Sequence, residues 1–366
     1  MANTFMNAMN NANNYAVTEN GALTHQSTMS GLLDMFALGG AYRTRSDADC
    51  ILLFKKAYEE DALRALKCLF YLRSVRGGQG ERRYFRVVLN WLAKNHPEDV
   101  IRNLENIPFY GRWDDLYALV GTPVEDEMFY LMKQQLVLDL KSKTPSLLAK
   151  WLKSENTSSH ESRQLATLTR KKFNLTSREY RKALSSLRER IRVLERLMSA
   201  KRWDEIEFDK IPSRAGMIYR NAFARHDIER QKTGKTTYED FMKDTKTKVN
   251  AKALYPYECV AAATDVMRKS LGWCSDFGSD FEPALDDINR LAVNKYWENL
   301  TDYFKGAAFN GIAVVDTSGS MRGSEASAPI NVAISLGLYC AEHNKGPFAG
   351  HYISFSSRPQ WIATEG

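Results

Sequence analysis

The sequence predicts a mainly α, helical-repeat module followed by the start of an α/β, Rossmann-like sheet. Three observations carry this expectation. Short apolar stretches recur at helical spacing from about residue 31 to 305, separated by Gly, Pro or Asn. At Gly311 the pattern changes to a β-branched run, a small-residue loop, a helix and two further apolar runs. Net positive charge is concentrated inside the helical part, and the rest of the chain is slightly acidic.

Residues 1–30 are polar and rich in Asn and Thr, which predicts a loosely ordered segment. From Asp47 to Tyr71 one helical pattern runs through Ile51, Phe54, Tyr58, Leu63, Leu66, Leu69 and Phe70. Gly77-Gly78-Gln79-Gly80 then makes a tight turn between helices. It does not follow a strand, so dinucleotide binding is not expected there. Further helices are predicted at 81–94, 98–105, 112–120, 125–142 and 145–153. The clearest spans Ser177 to Ala200, where Tyr180, Leu184, Leu187, Ile191, Leu194 and Met198 form one apolar face. The polar run Arg230–Lys248 reads as a loop or lid, and helices resume at 257–271 and 286–304. Gly234-Lys235-Thr236 lacks the strand and the first glycine of a phosphate loop.

The final segment reads strand Ile312–Val315, helix Pro329–Glu342, strand His351–Phe355 and strand Gln360–Ala363. The expected domains are therefore 1–30, 31–305 and 306–366.

Composition narrows the function classes. Hydrophobic residues at 44% and charged residues at 26% describe a globular chain. No stretch approaches 18 apolar residues, so no membrane-spanning helix and no membrane partner is expected. The N-terminus lacks the features of a secretory signal. Cys50, Cys68, Cys259, Cys274 and Cys340 are scattered without a CxxC pair, which predicts free thiols in a reducing, cytoplasmic setting. The six His have no metal or catalytic spacing, and no nucleophile–base–acid set stands out. A non-enzyme is expected. Asp114-Asp115 is expected to cap or to pair with Arg112, and Trp113 and Trp151 to anchor the core.

The chemistry-bearing motif is Asp316-Thr317-Ser318-Gly319-Ser320, of the form D-x-S-x-S, directly after the first predicted strand. Carboxylate and hydroxyl oxygens suit a hard cation such as Mg2+. Alternate residues leaving a strand end can converge on one ion, at the edge where open α/β sheets bind ligands. The competing reading is an ordinary capped loop, where Asp, Ser and Gly are common.

The run Gly311 to Met321 resembles the first strand and metal-ion-dependent adhesion site of a von Willebrand factor A domain. The resemblance implies Ser318 and Ser320 as direct ligands of Mg2+ or another divalent cation, with Asp316 binding directly or through water. It also implies an open metal position filled by an acidic group of a protein partner. Ile107-Pro108-Phe109-Tyr110-Gly111-Arg112-Trp113-Asp114-Asp115-Leu116 is similar to a segment of Ro-type proteins. In those, a HEAT-like Telomerase-Ro-Vault module precedes a von Willebrand A-like domain. A closer similarity is to an uncharacterised domain-of-unknown-function family of phages, bacteria and eukaryotes. It rests on Glu19-Asn20-Gly21-Ala22, Gly77–Arg82, Ala149–Leu152 with Ser154-Glu155-Asn156, and Ile211–Ala215. The complete adhesion site also draws on a later Thr and Asp, which would lie beyond Gly366. The expectation is an incomplete von Willebrand A-like domain.

Residues 150–255 hold 26 Lys and Arg against 14 Asp and Glu, whereas the whole chain carries +7. Arg170, Lys171 and Lys172, with a stripe of Arg178, Arg181, Arg188, Arg192 and Arg196 on the 177–200 helix, form a candidate RNA surface. The competing reading is a solvated charged face. The expected function is an RNA-binding or ribonucleoprotein scaffold with a metal-dependent site for a partner carboxylate. The alternative is a metal-dependent protein–protein adaptor without nucleic acid.

Overall fold

A computed structural model describes residues 14–17, 21, 23–271, 287–306, 311–322 and 328–364. Residues 1–13, Glu19, Asn20, Ala22 and Cys274, which figure in the sequence reading, lie outside the described residues. Helices predominate, with a small sheet near the C-terminus. The chain divides into two compact units, Met1–Val193 and Leu194–Gly366.

In the first unit, strands β1 (Tyr15–Val17) and β2 (Leu23–His25) pair antiparallel. This short hairpin falls inside the segment expected to be loosely ordered. Helix α1 (Gly31–Leu38) is capped by the Ser30 hydroxyl. Helices α2 (Asp47–Glu60) and α3 (Ala62–Arg73) replace the single predicted helix. Asp61 adopts an extended conformation, and its carboxylate accepts the Arg64 N–H at 2.9 Å. A short acidic side chain satisfies a helix start better than it serves a helix interior, so the chain breaks there.

The glycine turn follows. A Cβ on Gly78 would sit 1.8 Å from the Tyr71 carbonyl oxygen, and Gly80 has a φ of +67°. Next come α4 (Arg83–Asn95), α5 (Pro97–Arg102), α6 (Asn106–Tyr110) and a 3-10 turn at Trp113–Leu119. They lead to α7 (Glu125–Lys141), α8 (Leu148–Trp151), α9 (His160–Lys172) and α10 (Ser177–Arg190). One apolar core joins them, from Met35 through Phe54, Phe85, Leu116 and Met132 to Leu187.

The predicted 177–200 helix is corrected. α10 stops at Arg190, and Arg192 takes a φ of +49°. The Val193 N–H donates to the Arg188 carbonyl at 3.2 Å and the Arg192 N–H to that of Glu189 at 3.0 Å. These two bonds close the helix in a Schellman motif, a position usually held by glycine. A continuous helix would have stacked Arg188, Arg192 and Arg196 one turn apart, which repels. The break removes that alignment.

The second unit begins with α11 (Leu194–Ser199), α12 (Ser213–Arg225), α13 (Asp227–Lys232) and α14 (Tyr238–Lys243). The last two occupy the stretch expected to be a loop or lid. The second of them is held from beneath: buried Lys295 donates to the carbonyls of Phe241 and Asp244 and to the Thr247 hydroxyl at 2.6–2.9 Å. Helices α15 (Pro256–Leu271) and α16 (Asp287–Glu298) complete a core around Phe208, Phe223, Tyr238 and Tyr296.

Strand β3 (Ala313–Asp316), helix α17 (Pro329–His343), and strands β4 (His351–Phe355) and β5 (Gln360–Ala363) follow. The strand order is β3-β4-β5, with β3 and β4 parallel and β5 antiparallel to β4. A Cβ on Gly337 would lie 2.4 Å from Val315 Cγ2, so glycine is what lets α17 lie close on β3.

The sheet shares its unit with the preceding helices, because α15 packs along α17. The Tyr339 hydroxyl donates to the Thr301 carbonyl at 2.8 Å and accepts the Tyr303 N–H at 2.7 Å. Trp297 donates to Glu342 at 2.6 Å. The sheet and the helices that precede it therefore share one compact unit.

Candidate functional site

Strand β3 delivers the D-x-S-x-S motif to the carboxyl end of the sheet. Val315 is buried and Val314 exposed, the alternation of a strand covered on one face. The Thr317 N–H extends the ladder by one bond to the Phe355 carbonyl at 2.8 Å. The chain then turns through a 3-10 helix at Gly319–Met321. Asp316 Oδ1 accepts the Ser318 N–H at 2.9 Å. The Ser318 and Ser320 hydroxyl oxygens lie 3.1 Å apart. The Ser318 side-chain and backbone hydrogen bonds hold the Asp316 carboxyl below the usual carboxylate range. The three predicted ligands are thus together on one loop, with Asp316 ionised at neutral pH.

This donor set fits a hard divalent cation, being all oxygen with one carboxylate charge. Among the described residues no group of three or more His, Cys, Asp or Glu could hold a metal, so the hydroxyls would have to share the work. A doubly charged ion on one carboxylate keeps an excess positive charge, which an outside anion can neutralise.

The predicted basic residues are only partly a free surface. Arg170 pairs with Glu155 at 2.9 Å and also donates to the Leu175 carbonyl. Lys172 bridges Glu125 and Asp126 at 2.8 and 2.5 Å. Arg188 lies inward and donates to the carbonyls of Ala149 and Leu152 and to the Ser154 hydroxyl, each at 2.8 Å. Lys171, Arg178 and Arg181 are exposed. Arg192 sits in the helix break, and Arg196 lies beyond it on α11. The structure therefore does not bring the eight residues together as one stripe. Tyr180 is fully buried and Phe173 nearly so, which makes them core rather than stacking platforms.

A denser charged site lies in the first unit. Asp115 is wholly buried and accepts from Arg73 Nε and Nη2 at 2.8 and 2.7 Å, and from Arg86 Nε at 2.7 Å. Its Oδ2 also accepts the Arg112 N–H at 2.9 Å, which starts the 3-10 turn. Asp114 binds Arg86 at 2.7 Å and Arg112 through two bonds at 2.9 and 3.0 Å. Burial alone would raise the Asp114 carboxyl. The Arg86 hydrogen bond and the charges of Arg86, Arg112 and Lys153 outweigh it and hold the group ionised. Arg112 also lies over the Trp151 ring at 4.0 Å. Capping and pairing by Asp114 and Asp115 were legible in the sequence. The partners, buried Arg73 and half-buried Arg86, were not, since they come from two other helices.

Comparison with known proteins adds the family. The domain of unknown function DUF2828 matches residues 18–173 and 145–308. The chain belongs to the DUF2828 family. In this DUF2828 chain a second domain of unknown function, DUF7788, matches residues 310–366. The D-x-S-x-S loop lies in the DUF7788 part and the Arg–Asp cluster in the DUF2828 part. The chain is 32% identical to an uncharacterized protein of Acanthamoeba polyphaga mimivirus, over 95% of its own length. It spans 63% of that relative's length. No solved structure matches it.

Proposed function

We propose that this chain is a non-enzymatic binding protein whose D-x-S-x-S loop holds a divalent cation and offers it to a carboxylate on a protein partner. The observation that carries this reading is the gathering of Asp316, Ser318 and Ser320 oxygens on one loop at the carboxyl end of β3. The order strand, helix, parallel strand, antiparallel strand agrees with the start of a von Willebrand A-like domain. Asp316, Ser318 and Ser320 would hold the ion, which supplies a Lewis-acid position that an acidic side chain completes. The helices of the first unit would act as a helical-repeat scaffold, and the resemblance of Ile107–Leu116 to Ro-type proteins belongs to this same reading.

The test is titration of Mg2+ and Mn2+ into the full chain by calorimetry, with Asp316→Ala and a Ser318→Ala/Ser320→Ala pair. Saturable binding lost in both variants supports the reading. Binding unchanged by either, or no binding at millimolar ion, overturns it.

A second reading, an RNA-binding scaffold, is favoured by Lys171, Arg178 and Arg181, which are exposed and make no ion pair among the described residues. It expects RNA affinity that falls steeply with salt and falls again in a Lys171→Glu/Arg178→Glu/Arg181→Glu variant. RNA binding that is undetectable at low salt removes it.

A further inference from the structure

The buried Arg–Asp cluster has an excess of positive charge, and more cations surround it. Among the described residues Arg73, Arg86 and Arg112 form ion pairs with Asp114 and Asp115 alone. Arg82, at the end of the glycine turn, acts on Arg112, and Lys153 acts on Asp114. Lys150 Nζ lies 5.6 Å from the centre of the Trp151 ring that Arg112 also covers, and Lys153 Nζ lies 5.5 Å from the Tyr117 ring. Among the described residues the side chains of Arg82, Lys150 and Lys153 have no carboxylate partner. Lys150 and Lys153 are nevertheless half-buried.

Unpaired, partly desolvated cations crowded within a Debye length repel one another. A fold that only needed to stabilise itself would pair or disperse them, and local violations of this kind mark binding sites. Directional donors are also left over. Arg86 uses Nε and Nη2 on the two carboxylates, and Arg112 uses the same atoms on Asp114. The Nη1 group of each makes no hydrogen bond among the described residues. The Asp114 and Asp115 bonds fix these guanidiniums in place, which preorganises their remaining edges.

We propose that this corner binds phosphate groups, with Lys150, Lys153 and Arg82 supplying charge and the Nη1 edges of Arg86 and Arg112 supplying directed hydrogen bonds. Phosphate is the anion that such a set of forks and point charges recognises best. The surplus of several charges favours a ligand with more than one phosphate. Two sources share that chemistry, a free polyphosphate group such as that of a nucleotide and the phosphodiester backbone of RNA. The site is independent of the metal loop and of Lys171, Arg178 and Arg181.

The test uses the full chain at low salt, with inorganic tripolyphosphate and a single-stranded ten-nucleotide RNA as probes, read by calorimetry. We expect binding to fall about tenfold or more in Lys150→Ala/Lys153→Ala and in the exposed-site variant Arg82→Ala. It should survive in Lys150→Arg/Lys153→Arg and be unchanged in Lys232→Ala, at an exposed lysine of α13. Tripolyphosphate binding without RNA binding assigns the site to a free polyphosphate. Tighter RNA binding that falls together with tripolyphosphate binding assigns it to a nucleic-acid backbone. Failure of both probes to bind, or equal binding by the wild type and the Arg82→Ala and lysine-to-alanine variants, overturns the proposal.

Discussion

Replacing Asp115 with Ala should be the most damaging single change to the first unit. Asp115 is fully buried, and its main partner Arg73 is only 2% exposed. Removing the carboxylate leaves a guanidinium charge in the core without its counter-ion, which costs about 3–5 kcal/mol. The substitution also removes the acceptor for the Arg112 N–H at the start of the 3-10 turn, worth about 1 kcal/mol. A loss of about 4–6 kcal/mol is comparable to the whole stability of a marginal domain. Read by native-state hydrogen exchange on peptides from α4, this is an acceleration of about 10³- to 10⁴-fold. Asp114→Ala gives the comparison. Its partners Arg86 and Arg112 have side chains 31% and 25% exposed, so water can take over part of the solvation. That change should cost about 1–3 kcal/mol. Arg73→Met combined with Asp115→Leu should recover only part of the loss, because an apolar pair of similar volume can replace the Arg73–Asp115 pair while Arg86 Nε and the Arg112 N–H still lose their acceptor. Equal exchange rates in the Asp114 and Asp115 variants, or a cost below about 1 kcal/mol for Asp115→Ala, would refute the reasoning.

Three further outcomes are expected. Arg188→Ala should destabilise the α8–α10 region by about 2–4 kcal/mol in urea unfolding, since three bonds from a charged donor are lost; unchanged stability would return Arg188 to the surface. Gly216→Ala should destabilise α12 by about 1–3 kcal/mol, because the new Cβ would meet the buried Tyr296 hydroxyl oxygen at 1.7 Å; a neutral thermal midpoint would contradict that close approach. Burial pushes the thiols of Cys68 up to about 11 and Cys259 up to about 12. These raised values favour the fold below the ordinary thiol range, and the advantage disappears as pH rises through them. At pH 8.5 both cysteines should resist iodoacetamide in the native chain and react in urea, with peptide mass spectrometry assigning each site. Rapid native alkylation of either would show that its burial is wrong.

Local signals were readable where chemistry is local. The strands of the final sheet, helix α17 and the Asp316–Ser320 loop were visible because β-branched runs, small residues and a helical period follow one another within about 50 residues. Asp61 and Arg192 show what periodicity hides. Both sit inside unbroken apolar patterns, and each chain break depends on which backbone groups a side chain or turn satisfies. The basic stripe misled for a related reason. A charge pattern does not record that Arg188 points inward to carbonyls from α8, or that Lys172 reaches two carboxylates at the start of α7. The Arg73–Asp115 pair joins residues 42 positions apart, and no periodic signal spans that gap.

The strand order β3-β4-β5 leaves β3 at one edge of its sheet. Among the described residues no strand pairs with its other side, and Val314 is 62% exposed. An extended segment added there would continue the ladder toward Asp316 and end beside Ser318. It would hold the strand end more stiffly and so narrow the positions available to the loop's oxygens.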